Sequence, residues 1–164
     1  MKPIRIALVT ALAAALAAAG SALGATHSGA AVKLGSTSLG KVVVNSAGWT
    51  LYVFGHDTAG KSTCYTGCSS TWAPLLTVGR PVAGAGIKAS LLGTTKRRDG
   101  KLQVTYAGHP LYRFAGDSGS GQTNGEGYGN LWFAVSASGA KVLKSGGAPP
   151  PTTTSGGYGY GSGY

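Results

Sequence analysis

Acidic side chains are nearly missing. Only Asp57, Asp99, Asp117 and Glu126 are negative among 164 residues, against 14 Lys and Arg, which leaves a net charge of +10. Asp117 to Glu126 offers several oxygen donors but lacks the alternating carboxylates of a calcium loop. A carboxylate pair for glycoside hydrolysis would need Asp57, Asp117 and Glu126 to converge, which their spacing does not require, so a hydrolase ranks behind the readings below. Cysteine is as scarce. With Cys64 and Cys68 alone, no second pair completes a four-ligand zinc set, and the two-cysteine haem attachment pattern ending in histidine is missing. No serine nucleophile elbow is present; Ser118-Gly119-Ser120-Gly121 looks like one but falls in a loop. No stretch has the pattern of a long amphipathic helix. The apolar run Ile6–Ala19 is 14 residues long, short of the ~20 that cross a bilayer, so no membrane span is expected.

That run follows Lys2 and Arg5 and precedes the small residues Gly20, Ser21, Ala22, Gly24 and Ala25. It has the layout of an export signal, with cleavage expected before Ala25. The expected organisation is therefore a signal peptide over 1–24, a linker over 25–33, a folded body over 34–144 and a tail over 145–164. No cysteine follows the apolar run, so a lipid anchor is not expected. Beyond the signal, twelve basic residues face four acidic ones, a net charge of +8. The body is long enough for one domain with a modest core. Export also places Cys64 and Cys68 where thiols tend to be oxidised. The tail, SGGAPPPTTTSGGYGYGSGY, carries no charge. It cannot bury enough apolar surface to offset the entropy of ordering it and is expected to be disordered.

Glycine is plentiful at 29 residues, and the mixture of Gly, Thr, Val and Tyr suits short strands and tight turns. The body is also written twice. Residues 47–57 read AGWTLYVFGHD and residues 107–117 read AGHPLYRFAGD. Sliding the chain by sixty places sets 40–79 on 100–139 without a gap. Gly40, Lys41, Ala47, Gly48, Leu51, Tyr52, Phe54, Asp57, Thr63, Gly67, Trp72 and Gly79 then all meet their own kind. This is an internal duplication, with repeat one over 34–85 and repeat two over 86–144. In the second copy, Lys101–Tyr106 alternates as a half-buried strand does, Asp99-Gly100 marks a hairpin before it and Ala107-Gly108 turns the chain after it. Period-two alternation puts Tyr112 and Phe114 on one face and Leu111 and Arg113 on the other, and likewise pairs Tyr52 with Phe54. A long loop follows each aspartate, and Trp72 or Trp132 opens the next strand. The expectation is an all-β domain of eight or nine short strands in two hairpin-rich units, as a small β-sandwich or a barrel-like fold. One helical turn is expected within 86–93.

Tyr-x-Phe-x-x-Asp at 52–57 and 112–117, GKSTCYTGCSSTWAPL at 60–75, RRDGKLQVTYAGHPLYRFAGD at 97–117 and GQTNGEGYGNLW at 121–132 together carry a resemblance. From Leu34 to Ala137 the chain resembles the bacterial exported proteins described as a secreted repeat of unknown function, also called predicted lipoproteins with a Yx(FWY)xxD motif. The resemblance implies an exported two-repeat protein and brings no reaction with it.

The motif residues Tyr52, Phe54, Asp57, Tyr112, Phe114 and Asp117 recur in both copies. A scaffold must be copied when its unit is copied, whereas a single active site need not be. They are therefore expected to fill a core layer, each aspartate capping its loop through N–H groups two or three residues on. Cys64 and Cys68 differ chemically between the copies, since Asn124 and Tyr128 stand opposite them. A disulfide across the turn is expected, worth about 2 kcal/mol for so small a loop. The alternative is an extracellular redox or metal-handling site, with Cys64, Cys68 and His56 holding copper or zinc. His109 is a lone histidine beside a turn. Lys96, Arg97, Arg98 and Lys101 form a basic hairpin tip suited to anionic partners: wall polymers with phosphate, or lipid headgroups. No fold motif for sequence-specific nucleic acid is present. The expected protein is a monomeric, non-catalytic β module with a binding or structural role at the cell envelope or outside it.

Overall fold

The computed structural model describes residues 29–58 and 60–143. The signal expected over 1–24 and the tail over 145–164 lie outside those residues. The first strand, β1, is Ala31–Thr37, so regular structure begins inside the stretch expected to be a linker.

Strands dominate. β1 pairs antiparallel with β2 (Gly40–Asn45), and β6 (Val82–Ala83) adds to β1 in parallel. The central sheet holds β3 (Tyr52–Phe54), β4 (Trp72–Pro74), β10 (Tyr112–Phe114) and β11 (Trp132–Ala134) in the order β11-β3-β10-β4, all antiparallel. A third sheet orders β5 (Leu76–Thr77), β8 (Leu102–Tyr106) and β7 (Leu92–Lys96), with β9 (His109–Pro110) also on β8. A five-residue helix, α1, covers Gly67–Thr71, and Ala89–Leu91 makes a 3-10 turn within the segment expected to hold one helical turn. The protein is all-β. Among the described residues there are eleven short strands where eight or nine were expected, and they form three sheets without a closed barrel, where a small sandwich or barrel-like fold was expected. Strands of two or three residues are too short for alternation to reveal. No helix among the described residues is long and apolar enough to cross a membrane.

The central sheet is where the copies interlock. Each copy gives its tryptophan strand to the other: β4 of the first pairs with β10 of the second, and β11 of the second pairs with β3 of the first. Phe114 faces Trp72 as Phe54 faces Trp132, and Tyr52 stands opposite Tyr112. An approximate two-fold axis therefore passes between the two tyrosines. Alternation along the short strands loads the sheet on both faces. Leu51, Val53 and Leu111 join Val32, Val43, Val104, Tyr106 and Val135 in an aliphatic cluster. Tyr52 and Tyr112 join Trp72, Trp132, Val42, Val44, Cys64 and Ala134 in an aromatic one. The run Val42-Val43-Val44 is wholly buried because β2 touches both clusters, as a strand covered on both faces should be.

The gapless alignment of the copies fails inside one strand. In the first copy Thr37 pairs with Gly40 across a two-residue turn, and Asn45 bonds Trp49 across three residues. In the second copy the first turn holds three residues, Arg98-Asp99-Gly100, and the next holds two, Ala107-Gly108. Ala107 and Gly108 both have positive φ, 49° and 80°, as a tight two-residue hairpin of this twist requires. The extra residue therefore moves from one end of the strand to the other. Val43 and Val104 occupy matching places, donating to Val135 and Leu75 and accepting from Leu51 and Leu111. Gln103 thus stands where the first copy has Val42.

Candidate functional site

The two motifs complete each other. Tyr52 Oη donates to Asp117 Oδ2 at 2.8 Å, and Tyr112 Oη donates to Asp57 Oδ2 at 2.7 Å. Each tyrosine thus binds the aspartate of the other copy. The second carboxylate oxygen holds its own loop: Asp57 Oδ1 accepts from the Thr63 N–H at 2.7 Å, and Asp117 Oδ1 from the Asn124 N–H at 2.9 Å. Those donors lie six and seven residues on, so each aspartate staples a whole loop instead of the two- or three-residue turn expected. Burial above all, then the bond to Asp117 and its charge, raises the Tyr52 hydroxyl well above the ordinary tyrosine range, while the Gly125 N–H opposes. Tyr112 is raised chiefly by burial as well, with Asp57 adding to it and Ser62 opposing. Both hydroxyls stay protonated and donating throughout the neutral range.

The remaining motif residues build a stack of four rings across the two-fold axis. Trp72 and Trp132 lie face to face, centroids 3.8 Å apart and 1° from parallel. Phe54 stacks on Trp132 at 4.2 Å and Phe114 on Trp72 at 4.4 Å. Tyr52 meets Trp72 edge-on at 5.5 Å, and Tyr112 meets Trp132 edge-on at 5.2 Å. The two edge-on tyrosine contacts are of the kind that aromatic quadrupoles favour. Gly125 lets the lattice close, since a Cβ there would sit 2.8 Å from the Trp72 ring and 3.0 Å from Tyr52.

Beside this lattice the symmetry breaks. Cys64 and Cys68 are joined in a disulfide that closes the Tyr65-Thr66-Gly67 turn. Among the described residues no group of three His, Cys, Asp or Glu is placed to hold a metal, and a bonded pair offers no thiolate. The exposed His56 ring packs on Phe54 at 5.1 Å, and His109 is exposed on β9. Arg97, only 6% exposed, is the buried cation of the site. Its Nη1 donates to Ser62 Oγ at 2.7 Å and to Gln103 Oε1 at 2.6 Å, and its Nη2 donates to the Cys64 carbonyl at 2.9 Å. All three acceptors are neutral. Ser62 Oγ also lies 2.8 Å from Tyr112 Oη. Since the single Tyr112 proton is directed to Asp57, Ser62 supplies the proton of that contact. One chain of bonds therefore runs from Arg97 through Ser62 and Tyr112 to Asp57. The Tyr65 ring lies under two guanidiniums, 4.4 Å from Arg97 and 4.8 Å from Arg98. A cleft of about 420 Å³ opens there, with Lys61, Lys96 and Arg98 also in its lining.

The family described as a secreted repeat of unknown function matches residues 33–76 and again 93–136, together more than half of the chain. The chain belongs to that family. No curated protein and no solved structure gives a significant match. Each matched unit runs from β1 to β5 or from β7 to β11. The family unit is thus a hairpin followed by the Tyr-x-Phe strand, a loop and the tryptophan strand.

The structure brings Tyr52, Phe54, Asp57, Tyr112, Phe114 and Asp117 into one lattice. Of the four cations read as one hairpin tip, Lys96 and Arg98 stay at the surface and Arg97 turns inward, all three lining that cleft, while Lys101 pairs with Asp99 at 3.8 Å. Sequence reasoning missed Tyr65, Lys61 and Gln103. Tyr65 sits between the two cysteines, and its position within a cross-linked turn was the available signal. Gln103 was hidden by the gapless alignment.

Proposed function

We propose that this protein is a non-catalytic exported module of the cell envelope or its surroundings, holding anionic polymers by its basic surface on a scaffold built from the two motifs. The observation that carries the reading is the reciprocal burial of the motif. Tyr52 and Tyr112 have no exposed surface, and both hydroxyls are engaged by aspartates. The residues repeated in both copies thus serve packing, and function falls to what surrounds them. A net charge of +8 beyond the signal, with only four carboxylates, supports an anionic partner, because unbalanced surface charge raises the local concentration of polyanions. Wall polymers with phosphate are the class favoured. Co-sedimentation with purified cell walls over a salt series tests the reading. Binding should fall steeply between about 0.05 and 1 M NaCl as screening shortens from beyond 10 Å to about 3 Å. Salt-insensitive binding, or none at low salt, would overturn it.

A further inference from the structure

We infer that the cleft over Tyr65 is a phosphate-binding site, formed by Lys61, Lys96, Arg97 and Arg98, through which the protein grips a phosphate ester. The inference rests on the anionic-polymer reading above and names its point of contact. Four cations line one cleft of about 420 Å³, and no acidic residue lines it. At its inner wall, Arg97 is buried with Ser62, Gln103 and the Cys64 carbonyl, all neutral, as acceptors, and its Nε has no hydrogen-bond partner. Asp57, linked to Arg97 through Ser62 and Tyr112, has both oxygens engaged by Tyr112 and Thr63. A buried charge without a counter-ion is costly, and an anion in the cleft supplies one.

The site is also built. Tyr65 carries both guanidiniums on its ring, its hydroxyl accepts from the Arg98 backbone N–H at 3.1 Å, and the disulfide holds the turn that presents it. Side chains held this way lose less freedom on binding. The symmetry-related position has no such cleft chemistry, since the first hairpin has Thr37 where the second has Arg97, and Val42 where the second has Gln103. A phosphate suits the set better than a carboxylate. It presents several oxygens around one centre to two guanidiniums, two ammonium groups and nearby hydroxyls together.

Titration of the full chain with inorganic phosphate, followed by NMR at constant ionic strength in chloride, tests the site. The expected result is saturable shifts centred on Thr63, Tyr65 and Arg98, with a Kd of about 1 mM or tighter. Acetate should bind at least about tenfold more weakly. The triple change Lys61→Gln, Lys96→Gln, Arg98→Gln should weaken phosphate binding about tenfold or more while the thermal transition stays cooperative. The charge-matched change Lys33→Gln, Lys41→Gln, Lys88→Gln, outside the cleft, should leave it within about twofold. Equal losses in both triples, equal binding of acetate, or no saturation would overturn the site. Wall binding that persists without phosphate binding defeats the cleft alone, whereas phosphate binding without wall binding defeats the polymer reading alone. Glycerol phosphate and phosphatidylglycerol vesicles, at matched phosphate, assign the source: tighter vesicle binding through the same residues means a lipid headgroup, and equal binding means a soluble or wall ester.

Discussion

A tyrosine hydroxyl and a carboxylate oxygen, 2.8 Å apart in one half of the molecule and 2.7 Å apart in the other, are the units from which the rest is assembled. Tyr52→Phe or Tyr112→Phe leaves a sequestered carboxylate oxygen without its donor. Each change should lower the unfolding free energy by about 1.5–3 kcal/mol, the range for a hydrogen bond to a charged group, as read by urea denaturation. The pH dependence has a definite sign. The fold favours the neutral hydroxyl, while an unfolded tyrosine ionises near pH 10. The contribution is therefore fully present below about pH 10 and is lost as pH rises beyond it. Stability measured from neutral to strongly alkaline pH should decline above that point, and the doubly substituted protein should decline less steeply. An identical slope would contradict this. At this scale the sequence was informative on one side. Alternation correctly put Tyr52 with Phe54 and Tyr112 with Phe114, all four in the aromatic cluster. The partner of each aspartate was not legible, because the bonded residues are 65 and 55 positions apart and no local pattern encodes so distant a contact.

Among the elements, β2 and β8 differ most in what they bury. Moving one residue from the Asn45–Trp49 turn to the Arg97–Lys101 turn exchanges Val42 for Gln103 and Val44 for Thr105 against the aromatic cluster. Gln103 then accepts from Arg97 and donates from Nε2 to the Leu111 carbonyl at 2.8 Å, satisfying polar groups that a valine position would leave bare. Two compensating changes of turn length leave the total unchanged, so a gapless alignment looked complete and concealed the slip. The cysteine turn is the other element peculiar to one copy. Replacing both cysteines by serine should remove about 2 kcal/mol of stability, measured as a lower denaturation midpoint with an intact cooperative transition. No loss would mean that the turn is held by its other contacts, such as the Arg97 bond to the Cys64 carbonyl. The pairing of these cysteines was legible from their compartment; that their turn carries Tyr65 beneath two arginines was not, because those arginines arrive from the other copy.

The whole molecule is two copies that are each incomplete. The outer strands of the central sheet are exchanged, the four-ring stack draws Phe54 and Trp72 from one copy and Phe114 and Trp132 from the other, and every motif tyrosine crosses the axis. Residues 29–76 alone should therefore show no cooperative unfolding transition as a monomer, by circular dichroism across a thermal scan. A monomeric half with a native-like transition would mean that the interlock is dispensable. Duplication and the all-β class were legible from the repeat, but strand exchange was not, because it depends on pairings that short strands do not announce.

The most direct test is a pair of double-mutant cycles on stability, Tyr52→Phe with Asp117→Ala and Tyr52→Phe with Asp57→Ala. Contacting residues couple by about 0.5–3 kcal/mol and independent ones add to within about 0.5 kcal/mol. The reciprocal arrangement predicts coupling between Tyr52 and Asp117, from opposite copies, and additivity between Tyr52 and Asp57, which share a motif. Coupling within the motif and additivity across the copies would contradict it.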